Sequence, residues 1–162
     1  MTIFLCGFMG CGKTTVGEIL AKQLGLPLID TDAYIVEQEG RSIPEIFAQE
    51  GEPYFRKVEA QAIRTLCTKN AVIACGGGAV LRAQNVRALR QNGVVVYIDR
   101  PLGQLAVGGA RPLSQSAEAL AAMHAARAPL YAAACDARVE NDGPFESVAE
   151  AIKERFYEIL DH

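Results

Sequence analysis

The chain has 162 residues, half of them hydrophobic, with 16 Lys and Arg against 19 Asp and Glu for a net charge of −3. That length suits one domain with a sizeable core, and no basic stretch offers a footprint for nucleic acid. No segment reaches the length of a membrane span and no signal peptide precedes the first strand, so neither membrane insertion nor export is expected.

The first apolar run, residues 2–6, has strand length and opens into Gly7-Phe8-Met9-Gly10-Cys11-Gly12-Lys13-Thr14-Thr15. That stretch fits G-x-x-x-x-G-K-[ST] between a strand and a helix, the context in which the pattern means phosphate binding. The helix is expected over 14–24, where Val16, Ile19, Leu20 and Leu24 recur at helical spacing before Gly25 and Pro27 end it. Polyphosphate needs donors that approach closely. Glycines at 7, 10 and 12 let backbone N–H groups point inward, and the helix start adds its unpaired N–H groups and dipole. Gly10, Cys11, Gly12, Lys13, Thr14 and Thr15 are therefore the candidate phosphate contacts. Lys13 would reach the β- and γ-phosphates, and the Thr14 hydroxyl would ligate Mg²⁺.

A short apolar run, 26–29, ends at Asp30-Thr31-Asp32. Strand-sized runs alternating with helices predict an α/β fold, a parallel sheet with helices on both faces, whose ligands gather at the carboxyl ends of the strands. Asp30 and Asp32 belong to that end, although the pair also suits a polar turn with a helix cap. Residues 33–66 read as helix broken at Gly40, Pro44 and Gly51-Glu52-Pro53. Three helical pieces exceed what a crossover needs, which marks an inserted substrate-binding region with Phe47, Tyr54 and Phe55 as aromatic surface and Arg56, Lys57 and Glu59 as charge.

The fully apolar run 71–75 predicts a strand buried on both faces. It runs into Gly76-Gly77-Gly78, and since a turn needs only one glycine, the run predicts close approach of a ligand to the main chain. A helix over 83–91, a strand over 93–98 and a short helix from Pro101 follow. Residues 108–114 read as a loop with glycine hinges carrying Arg111. A helix over 116–132, capped by Ser116, holds Arg127 and is either kinked or split by Pro129. An edge strand over 137–140 and a turn at 141–144 precede a last helix, in which Val148, Ile152, Phe156 and Leu160 form a core-facing stripe. Five cysteines, Cys6, Cys11, Cys67, Cys75 and Cys135, show no zinc spacing. They are expected to be buried free thiols in a reducing, cytoplasmic compartment.

A phosphate loop, two nearby carboxylates, a glycine run and arginines from separate segments are the inventory for phosphoryl transfer to a small acceptor. Paired guanidiniums suit an acceptor carboxylate, although Arg56 also has Glu59 one turn away as a partner. The residues alone leave open which polyol acid is the acceptor, a gluconate-type acid included. They also leave open a nucleotide-dependent switch, although no Asn-Lys-x-Asp guanine motif is present.

Taken in order, the phosphate loop, Asp30-Thr31-Asp32, Phe55-Arg56-Lys57-Val58-Glu59, Gly76-Gly77-Gly78, Arg111-Pro112-Leu113 and Arg127-Ala128-Pro129-Leu130-Tyr131 resemble shikimate kinase, in the nucleoside monophosphate kinase-like group. The likeness covers nearly the whole chain. It implies a three-layer α-β-α sandwich of P-loop kinase type, with a five-stranded parallel sheet in the order 2-3-1-4-5. Residues 1–162 would form a single, usually monomeric kinase domain with a substrate-binding region at 33–60 and a lid loop at 108–116. The reaction implied is ATP-dependent phosphorylation of the shikimate 3-hydroxyl with Mg²⁺, in the aromatic amino-acid pathway. By the same likeness Asp32 is the base, Lys13 and Arg111 assist the transfer, and Asp30 reaches the metal through water. Arg56 and Arg127 clamp the shikimate carboxylate, and Glu59 orients Arg56. The backbone of Gly76, Gly77 and Gly78 adds hydrogen bonds, and Phe47 and Phe55 line the pocket. Many relatives also carry an Arg ahead of the lid Arg, stacked on the adenine. Here residues 105–110 hold no cation, which implies weaker ATP binding or a stack supplied from elsewhere.

Overall fold

Apolar runs and helical stripes alternate along the chain, and the architecture follows from that alternation. The computed structural model describes residues 1–104 and 117–161. The expected lid loop with Arg111, and the Ser116 cap, lie outside the described residues. Strands β1 (Thr2–Cys6), β2 (Leu28–Asp30), β3 (Ala71–Ala74), β4 (Val94–Asp99) and β5 (Ala137–Glu140) form one parallel sheet in the order β2-β3-β1-β4-β5. β1 is central, with Leu5 opposite Ala74 of β3 and Cys6 opposite Tyr97 of β4. Every residue of β1 is buried, as a middle strand covered on both faces requires. Edge strand β5 instead alternates, with Ala137 and Val139 inward and Arg138 and Glu140 exposed.

The helices are α1 (Lys13–Leu24), α2 (Thr31–Glu39), α3 (Ile43–Glu50), α4 (Glu52–Leu66), α5 (Ala83–Asn92), α6 (Ala117–Ala134) and α7 (Phe145–Leu160). Right-handed crossovers dictate their faces. The β1-to-β2 connection runs toward one edge of the sheet and places α1 on one face, where α7 packs against it. The connections β2-to-β3, β3-to-β4 and β4-to-β5 run the other way and place α4, α5 and α6 on the opposite face.

Two apolar clusters result. The larger wraps the sheet and includes Ile3, Phe4, Leu5, Val95, Val96 and Ile98. The smaller consists of Ile35, Ile46, Phe55 and Ala62, with Phe47, Tyr54 and Val58 packed on it. It holds α2, α3 and the start of α4 together. The capping box of Ser42 and Glu45 and the proline at the start of α3 explain why Pro44 opens that helix instead of breaking it.

Several expectations need correction. Helix α6 continues through Pro129 and is not split there. Pro129 and Ala125, whose carbonyl loses its partner, are both exposed, so the freed group lies on a solvent-facing turn. Leu160 is 54% exposed and does not join the stripe of Val148, Ile152 and Phe156, because a four-residue step drifts off the 3.6-residue repeat and Ile159 packs against the core in its place. Gly93 closes α5 instead of starting β4, and a Cβ there would collide with the Thr2 carbonyl. Cys135 is only partly buried, whereas the other four free thiols are buried.

Candidate active site

At the carboxyl end of β1 the chain turns through residues 7–12 and enters α1. Four carbonyls of this loop are engaged by protein donors. Cys11 N donates to Phe8 O at 3.1 Å and Val16 N to Gly12 O at 2.9 Å. Asn141 Nδ2 donates to Cys11 O at 2.8 Å. Lys13 Nζ donates to Gly7 O at 2.5 Å and to Phe8 O at 3.3 Å. Gly12 precedes the helix at φ 98°, ψ 15°, a left-handed conformation that favours glycine. Gly10, Thr14 and Thr15 are exposed, whereas Cys11 is fully buried.

The next strand end stands beside this loop. Asp30 caps α2 by accepting from Ala33 N at 3.1 Å, and its other oxygen accepts from the Thr14 hydroxyl at 3.3 Å. Asp30 is therefore a helix cap that also touches the phosphate loop. Thr31 is buried, and its hydroxyl accepts from Gly76 N at 2.9 Å, which ties the end of β2 to the glycine run.

Each glycine of that run leaves room for neighbouring side chains. A Cβ on Gly76 would lie 2.5 Å from Asp32 Oδ1 and 3.2 Å from Glu59 Oε2. On Gly77 it would meet Arg127 Nη1 at 3.4 Å, and on Gly78 it would fall 2.6 Å from Arg56 Cζ. Asp32 from α2, Arg56 from α4 and Arg127 from α6 thus converge on one strip of bare backbone. Gly77 also lies against the phosphate loop, 3.8 Å from Met9 N by the same measure.

Arg56 is held from behind. Arg56 Nη1 donates to Glu59 Oε1 at 3.0 Å, with Glu59 1% exposed. The guanidinium also lies over the Phe55 ring, 5.3 Å from its centroid. Phe47 packs on Phe55 with ring centroids 4.8 Å apart. Phe55 is itself only 4% exposed, so it forms the back wall behind Arg56. Arg127 has no carboxylate within ion-pair distance among the described residues. Four residues further along α6, the buried Tyr131 hydroxyl donates to Gly77 O at 2.6 Å.

A family model for shikimate kinase matches residues 9–157. The chain belongs to the shikimate kinase family. It is 46% identical over 160 residues to the shikimate kinase of Moorella thermoacetica, covering 94% of this chain and 92% of that protein. It is 41% identical over 156 residues to that of Clostridium botulinum, covering 93% and 94%. Among solved structures, the shikimate kinase of Acinetobacter baumannii in complex with shikimate superposes with a TM-score of 0.91 at 37% identity, covering 97% of this chain and 93% of that one. The Aquifex aeolicus shikimate kinase gives 0.84 at 34% identity, covering 95% of each chain. Membership of this family makes the chain an ATP-dependent kinase of shikimate.

Burial perturbs two carboxylates of the site. Burial, then the neighbouring Asp30 and Glu59 charges, push the Asp32 carboxyl up from 3.8 to about 6, against the pull of Lys13 and Arg56. Burial also raises Glu59, against Arg56, Arg127 and Arg82. Three residues near the site carry contacts that the sequence reading had not assigned, namely Thr31, Tyr131 and Asn141. Tyr131 follows Arg127 by four residues, and that spacing was a usable sign that both share one face of a helix. Thr31 and Asn141 act through contacts 45 and 130 residues away in sequence, for which no local pattern exists.

Proposed function

We propose that this chain transfers the γ-phosphoryl group of ATP to the 3-hydroxyl of shikimate, giving shikimate 3-phosphate and ADP, as a monomer in the cytoplasm without a nucleic-acid or membrane partner. The observation that carries the residue assignment is the convergence of Asp32, Arg56 and Arg127 on Gly76, Gly77 and Gly78 beside the phosphate loop. Two guanidiniums from different helices form a fork for a carboxylate. The carboxylate across the same strip is placed to receive a hydroxyl proton. Residues 33–60 serve as the acceptor-binding region, for which their separate apolar cluster is the support.

The roles follow from the chemistry of each group. Arg56 and Arg127 hold the acceptor carboxylate, with Glu59, Phe55 and Phe47 fixing the Arg56 head. Asp32 accepts the proton of the 3-hydroxyl as its oxygen attacks the γ-phosphorus. A base with a pKa near 6 is ionised at neutral pH yet remains a competent acceptor. Lys13 leaves the Gly7 and Phe8 carbonyls for the phosphates, and the N–H groups of Gly10 to Thr15 cradle them. Arg111 is assigned to close over the same phosphates. Thr14 Oγ1 and Asp30, 3.3 Å apart, are hard oxygen donors of the kind Mg²⁺ takes, Thr14 directly and Asp30 through water. When bound, Mg²⁺ supplies charge neutralisation across the phosphates.

The test is ADP release from Mg·ATP with shikimate, quinate or gluconate as acceptor. Release driven by shikimate alone is expected. Release driven by gluconate instead, or by no acceptor at all, would overturn the assignment.

A further inference from the structure

Asn141 follows β5 and is 1% exposed. Its backbone N–H donates to Asp99 O at 2.8 Å, which anchors it to the end of β4. Its side-chain Nδ2 donates to Cys11 O at 2.8 Å, across 130 residues of sequence. Its Oδ1 is buried and has no hydrogen-bond partner among the described residues. The amide orientation is nevertheless fixed, because turning it over would set Oδ1 against the Cys11 carbonyl oxygen.

The bond to Cys11 O controls the direction of a donor. A trans peptide points its C=O and the following N–H in opposite directions. The carbonyl of Cys11 and the N–H of Gly12 share one peptide, so holding that carbonyl outward aims the Gly12 N–H into the concave side of the loop. Gly12 sits at φ 98°, where glycine has access to other conformations and that peptide could rotate. A Cβ on Gly12 would lie 2.8 Å from Asn141 Nδ2, so the amide closes directly on the flexible point.

We propose that Asn141 is a positioning residue for nucleotide phosphate. By clamping the Cys11–Gly12 peptide it keeps the Gly12 N–H aimed at the phosphate chain, and it does so without touching the nucleotide. The idea rests on the assignment of residues 10–15 as the phosphate site. Asn141→Leu keeps the shape, removes the clamp and removes the orphaned Oδ1 as well, so the fold is not left with a buried unpaired acceptor on that side chain. Asn141→Asp replaces the donor by an oxygen facing the Cys11 carbonyl and is the harsher variant.

The experiment is calorimetric titration of the full chain with Mg·ADP and, separately, with shikimate, for the wild type, Asn141→Leu, Asn141→Asp and Lys13→Ala. Asn141→Leu should bind Mg·ADP about tenfold more weakly. Asn141→Asp should lose at least as much, and shikimate affinity should stay near wild type in Asn141→Leu. Unchanged Mg·ADP affinity in both Asn141 variants, or equal losses for Mg·ADP and shikimate, would overturn the proposal. Lys13→Ala separates the two levels. If it loses Mg·ADP binding while the Asn141 variants keep theirs, only the clamp fails. If it too binds normally, the phosphate site is misplaced.

Discussion

An ionised Asp32 stands against two further carboxylates, Asp30 and Glu59, and burial is the larger part of its penalty. Its folded pKa of about 6 lies above its ordinary 3.8, so the folded state holds the extra proton more tightly. The stability that this gives is complete below about pH 4 and is lost as pH rises through about 6. At pH 8 the ionised group therefore costs the fold up to about 3 kcal/mol, less where solvent screens it. Asp32→Asn should raise stability toward urea at pH 8 in the metal-free protein, and the gain should vanish near pH 4. The same variant should lose about 10²-fold or more in kcat if Asp32 is the base. A variant that is both slower and less stable at pH 8 would contradict this account. For Arg56 the geometry of the head matters more than its charge, since it lies over Phe55 while donating to Glu59. Arg56→Lys keeps the charge but not the planar fork. Steady-state assays should show a raised KM for shikimate, with the KM for ATP unchanged.

The glycine run is the element on which the acceptor site depends, and its three positions are not equivalent. Gly78 has φ −99° and ψ 7°, open to any residue, so Gly78→Ala adds no backbone strain there. Its new methyl group would occupy the space of the Arg56 guanidinium. The expected result is a shikimate KM raised by about tenfold or more, with kcat less affected, because a misplaced 1 Å in a binding group costs this much. Gly76→Ala would instead press on Asp32 Oδ1 and should act mainly on kcat. Kinetics with shikimate varied at saturating Mg·ATP distinguish the two, and identical profiles would refute this pairing of Gly78 with Arg56 and Gly76 with Asp32. This pairing was only half legible in the sequence. Three glycines at the end of an apolar strand announced that something comes close. That the close neighbours include the protein's own Asp32, Arg127 and Arg56 depends on the meeting of α2, α6 and α4, which no local pattern encodes. Pro129 shows the opposite limit, since its local signal to break a helix was plain and was overridden by exposure of the turn it disturbs.

At the scale of the molecule, the sheet was readable because each strand is a short apolar run followed by a turn signal, and the alternation with helices leaves few parallel arrangements. The phosphate loop was readable because its residues are contiguous. Asn141 was not, since a turn residue looks the same whether or not it reaches a loop 130 residues away. The division into two apolar clusters was also hidden, although residues 33–66 had shown more helix than a crossover needs. It has a consequence for motion. Ile35, Ile46, Phe55 and Ala62 form a core separate from the one around the sheet, and a small separate core opens at lower free energy than a large one. Ile46 is fully buried there, and Ile46→Ala should cost about 2–5 kcal/mol of packing. The loss should fall on α2, α3 and the start of α4, where Asp32, Phe55 and Arg56 reside, and not on the phosphate loop, which belongs to the sheet. Hydrogen exchange followed by mass spectrometry should show faster exchange in residues 31–66 of Ile46→Ala, with β1 and α1 near wild type. Shikimate should bind more weakly and Mg·ADP about as before, and added shikimate should slow exchange in 31–66. Uniformly faster exchange across β1, β3 and β4 would mean that the two clusters unfold as one unit and that the acceptor region has no independent motion.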